Sequence, residues 1–111
     1  MSEVNDLLKQ LDDAKSFIAR RDKALKLHND PIYKELILEG FCKDECARYV
    51  HASSDPALTA EQRSDALAIA QAAGHFRRFM SVIITMGNQS ENMLDRLEAE
   101  IEAARAEEAE D

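Results

Sequence analysis

Apolar residues recur every seven positions at the start of the chain, at Val4, Leu11, Ile18 and Leu25, and Leu7, Leu8, Ala14 and Phe17 widen the stripe. A seven-residue repeat is the seam of helices packed lengthwise. It predicts a first helix over residues 2–27. Ser2 is suited to cap its N-terminus, with Glu3 and Asp6 at the positive end of the helix dipole. The seam fails at Arg21, where the next apolar position falls. Arg20, Arg21, Lys23 and Lys26 gather in the last turns, near the negative end of the dipole.

His28-Asn29-Asp30-Pro31 marks a boundary, because proline disfavours a helical residue before it and fits the first turn of a new helix. Middle helices are expected over residues 31–52, with Asp30 as N-cap and Ile32, Tyr33, Leu36 and Ile37 turned inward. Gly40 is the natural terminator between a piece at 31–39 and one at 43–52, though a bend would serve as well. Ser53-Ser54-Asp55-Pro56 reads as a loop. Thr59-Ala60-Glu61-Gln62 then fits a capping box.

Beyond it a single stripe runs through Ile69, Ala73, Phe76, Met80, Ile83, Gly87, Ser90, Leu94, Leu97, Ile101 and Ala104, at alternating spacings of four and three. It predicts one long helix, or a pair, over residues 59–108, about 75 Å if unbroken. Gly87-Asn88-Gln89-Ser90 is the place for a break or kink, and if the helix breaks there its last piece starts near Ser90. Phe76, Phe79, Met80, Val82, Ile83, Ile84 and Met86 cover more than one narrow stripe, which places that stretch at the centre of the fold. The sum is a single all-α domain over residues 1–111: an elongated helical bundle with a long, coiled-coil-like C-terminal helix. Its packing and interface residues are Leu7, Leu11, Ile18, Leu25, Phe76, Met80, Ile83, Leu94, Leu97 and Ile101.

Composition agrees with the pattern. Glycine (3) and proline (2) are scarce and tryptophan is absent among 111 residues. At 45% hydrophobic and 32% charged, the chain is neither a disordered tail nor a membrane protein. A chain of this length buries a modest core, so its stability is expected to lean on a partner or on self-association. The net charge of −8 disfavours nucleic acid as a general partner. Seven acids lie in residues 98–111 against Arg105 alone. No basic, apolar leader opens the chain, no apolar run spans a bilayer, and the two cysteines are read as reduced thiols.

Candidate chemistry is thin. Cys42, Cys46 and His51 offer three zinc-type ligands, with His28 or His75 as a fourth, but the spacing is not that of a zinc finger. Thiols packed as small hydrophobes explain the pair more simply. None of the three histidines belongs to a nucleophile motif, and no phosphate-cradling glycine loop is present. No enzyme activity, metal or cofactor is expected. Arg20, Arg21, Lys23 and Lys26 form a candidate basic contact patch, which His75, Arg77 and Arg78 extend if the helices lie together. Tyr33, Phe41, Tyr49, Phe76 and Phe79 are read as core.

The segment from Asn29 through Pro31, Tyr33, Leu36-Ile37 and Gly40-Phe41 resembles a pattern in small all-helical proteins from the structural and assembly gene modules of tailed bacteriophages. The likeness continues through Asp44-Glu45-Cys46-Ala47-Arg48-Tyr49-Val50 and Ala52-Ser53-Ser54-Asp55-Pro56, then through Phe76-Arg77-Arg78-Phe79 and Met86-Gly87. It covers about the central two-thirds of the chain and carries no catalytic motif. The cysteines stand where that pattern has other residues. The resemblance implies a non-enzymatic role in the virion or its assembly, in the host cytoplasm and the particle, with other virion proteins or copies of itself as partners. A phage effector that blocks a host protein and a DNA-packaging accessory are the competing expectations.

Overall fold

Every regular element is a helix, among the described residues 2–110 of this computed structural model. The order is α1 (Glu3–His28), α2 (Pro31–Tyr33), a π-helical segment π1 (Lys34–Glu45), α3 (Cys46–Ala52) and α4 (Ala60–Glu110). The local signals act where they stand in the sequence. Ser2 Oγ accepts the Asn5 amide at 3.1 Å, and Asp30 accepts the amides of Ile32 and Tyr33 at 2.8 and 3.2 Å. At the start of α4 the Thr59 hydroxyl accepts the Gln62 amide at 3.1 Å while Gln62 accepts the Thr59 amide at 2.9 Å, a reciprocal capping box. Arg63 closes the preceding loop by donating to the Leu58 carbonyl.

Two alternatives left open by the sequence are decided, both in favour of continuity. Gly40 does not end a helix: α2, π1 and α3 follow one another without a gap, and Gly40 keeps a negative φ inside π1. The chain widens into π geometry instead, which is rare over a run of this length. A Cβ at Gly40 would lie 3.1 Å from the Glu35 carbonyl oxygen, so glycine relieves crowding within the widened turn. Nor does α4 break at Gly87. It is one helix of 51 residues that includes Gly74 and Gly87.

The chain forms two compact units that share α4. The first joins the chain up to Leu25 with Val82 onward. Its core is Val4, Leu7 and Ala14 against Leu97, Ile101 and Ala104, with Leu11, Met93 and Leu94 packed on it. Leu8 and Leu11 lie beside Glu98 to Arg105, whereas Arg21 lies beside Gly87 to Glu91, so α1 runs antiparallel to this half of α4. Leu97 is the largest side chain fully removed from solvent.

The second unit is Lys26–Ser81. Tyr33 stacks at a tilt on Phe76, ring centroids 6.4 Å apart, and the Cys46 thiol donates to the Ala70 carbonyl at 3.5 Å. Here too the earlier helices run antiparallel to α4. The buried α4 positions are Ala66, Ala70 and Ala73, small side chains that let the helix backbones approach closely. Such a contact buries little apolar area per turn, and it leaves large side chains outside.

The inward assignments need correction accordingly. Ile32 and Leu36, expected inside, are 67% and 62% exposed. Phe79 is 61% exposed, and Val82 and Met86 also face solvent, so the apolar stretch at 76–86 is not buried on several sides.

Candidate functional site

The residues named for helix packing divide by depth. Leu7, Leu97 and Ile101 are buried, and Leu11, Ile18, Ile83 and Leu94 are half-buried in the first unit; Leu25 is exposed. Phe76 and Met80 are half-buried in the second. A shallow, apolar-floored groove of roughly 360 Å³ lies between Leu8, Leu11 and Ile101, with Glu98, Glu102 and Arg105 on its rim.

The basic group splits. Arg20, Lys23 and Lys26 are exposed, but Arg21 is buried against α4. Its Nη1 donates to Glu91 at 2.7 Å and to Asn88 at 3.0 Å, and its Nε and Nη2 donate to Asp22 at 3.1 and 2.9 Å. These bonds to Glu91 and Asp22 hold the guanidinium above its ordinary pKa, so it stays charged at every working pH. The side chain fits because Gly87 sits beneath it. A Cβ on Gly87 would lie 2.8 Å from Cγ and Cδ of Arg21, and closer still to its Cβ. Buried Ser90 and Ala24 extend this small-residue crossing. The failure of the seam at Arg21 was the sequence signal for a polar layer. Pairing it with Gly87 needed the fold.

The cysteine–histidine set does not converge. Among the described residues no three His, Cys, Asp or Glu side chains come close enough together to hold a metal ion. Cys42 is buried, and burial pushes its thiol pKa up, away from the reactive thiolate. Tyr33 is likewise buried; its hydroxyl has no hydrogen-bond partner, and its pKa is raised by burial first and by nearby Cys42 second. Among the described residues no helix is long and apolar enough to cross a membrane.

The larger feature is exposed apolar side chains: Ile32, Leu36 and Phe79 are 67%, 62% and 61% exposed. Comparison with protein-family models, curated proteins and solved structures gave no match.

Proposed function

We propose that this chain is a non-enzymatic structural or assembly protein of a tailed bacteriophage, working by presenting helical faces to copies of itself. The observation that carries the self-association is the set of large side chains Ile32, Leu36 and Phe79 left in water. The small alanine-lined contact inside the second unit supports it, because it leaves those side chains with no internal partner. The likeness of residues 29–56 to the phage pattern supports the placement in the virion or its assembly.

Two measurements test the two parts of this reading. Light scattering on the purified chain is expected to give a dimer or larger species; monomer alone at every concentration refutes the self-association. Mass spectrometry of purified particles is expected to find the chain; particles lacking it refute a resident virion role. That second result favours a host-directed effector, for which the acid-rich end of α4 at Glu98, Glu100, Glu102, Glu107, Glu108 and Glu110 supplies a surface suited to a basic groove.

A further inference from the structure

The geometry points to one face of the Lys26–Ser81 unit, carrying Ile32, Leu36, Ile69 and Phe79, as the seat of a second copy of this chain. This rests on the self-association proposed above and names where it occurs. In this unit Tyr33 and Ala73 turn toward the opposing helix and are buried. Ile32 falls roughly 100° to one side of Tyr33, and Leu36, three residues on in the wider turn of π1, falls on the same side. Ile69, Phe76 and Phe79 fall roughly 40°, 60° and 120° from Ala73 in the same rotational sense. Because the two helices are antiparallel, rotations of the same sense open on the same side of the pair. The exposed side chains therefore form one patch, with the half-buried Phe76 ring between its two edges. Ile32 at 67%, Leu36 at 62% and Phe79 at 61% are the most exposed of the large hydrophobic side chains, and Ile69 beside them is 40% exposed.

Charge selects a second copy as the occupant. Lys26–Ser81 holds seven Lys or Arg and eight Asp or Glu, a net charge of −1. The rest of the chain holds seven against fourteen, a net charge of −7. Two copies meeting through the acid-rich remainder repel each other; two meeting through the near-neutral unit do not. A patch with its own balanced charge suits an isologous contact, in which the same surface faces itself across a two-fold axis.

Sedimentation equilibrium on the full chain tests this, with Leu36→Glu/Phe79→Glu as the probe and Leu8→Glu, in the groove of the other unit, as control. All three altered side chains are exposed, so circular dichroism should show unchanged helix in each variant. At roughly 100 µM, where a micromolar association is near saturation, wild type and Leu8→Glu should be dimeric. The double variant should be monomeric, its dissociation constant raised at least about 100-fold by the two charges placed at the centre of the contact. If wild type is dimeric and the double variant equally so, this face is not the interface, and self-association stands by another surface. If wild type is monomeric throughout, the self-association itself is wrong and this assignment goes with it.

Discussion

Replacing Gly87 with alanine should destabilise the protein, although alanine is the better helix former. Gly87 lies inside α4, where propensity alone favours alanine by about 1 kcal/mol. The opposing cost is steric. Carbon atoms in contact sit at about 3.5–4.0 Å, while the new methyl would be 2.8 Å from Arg21 Cγ and Cδ. Arg21 cannot swing clear without giving up Asp22, Asn88 and Glu91, and its Cβ is fixed by the backbone of α1. The helices must therefore part by the order of 1 Å, and overpacking of that kind costs typically 1–3 kcal/mol or more. The net is a loss of up to about 2 kcal/mol. Gly74 provides the control, because a Cβ there meets nothing within 4 Å. Gly74→Ala should gain about 1 kcal/mol by propensity alone. Urea unfolding followed by far-UV circular dichroism, at one protein concentration, gives both values. If Gly87→Ala raises the midpoint as Gly74→Ala does, the close helix approach at Arg21 is wrong.

Other outcomes follow from the same geometry. Tyr33→Phe removes a buried hydroxyl that has no partner and should stabilise by about 1 kcal/mol; a loss in thermal melting would mean that the hydroxyl is bonded. Leu97→Ala empties the best-buried large side chain and should cost about 3–5 kcal/mol in the same urea assay. Thr59→Ala and Asp30→Ala each delete a helix cap and should cost about 1 kcal/mol. Cys42 and Tyr33 have folded pKa values raised above their ordinary 9.0 and 10.0, so the folded state holds their protons longer than the unfolded one. Their contribution is complete below those ordinary values and is lost as pH rises through the raised ones. Stability should fall above pH 9.0, less steeply in Cys42→Ala; identical slopes in pH-dependent melts would refute the burial argument.

Much of the backbone was legible because its signals are local. Ser2, Asp30 and the Thr59–Gln62 box each act within three residues of themselves, and the seven-residue seam from Val4 marks the face of α1 that packs. What was not legible depends on distance in space. A glycine inside a helix reads as a weakness until the opposing helix is known, so the sequence leaves a break at Gly87 open where the fold makes it the floor beneath Arg21. Gly40 leaves a break or a bend open for a related reason, and widening into π geometry keeps the helix going. Ile32, Leu36 and Phe79 look like core in sequence because apolar residues usually are. They stay outside because Ala66, Ala70 and Ala73 let the facing helices close on small side chains. Of the candidate site residues, the buried seam members Leu7, Leu97 and Ile101 could be named in advance. Arg21 stands apart from Arg20, Lys23 and Lys26 in sequence only by its place on the seam; its partners Gly87, Asn88 and Glu91 needed the fold.

Self-association leaves a signature in the melt of the intact chain. If two copies fold as one unit, a hundredfold rise in protein concentration adds about 2.7 kcal/mol to the apparent stability. For a dimer of this size that moves Tm upward by about 5–10 °C. A melt that stays at the same temperature across that range, with light scattering at the monomer mass, would contradict the claim that these helices need a second copy.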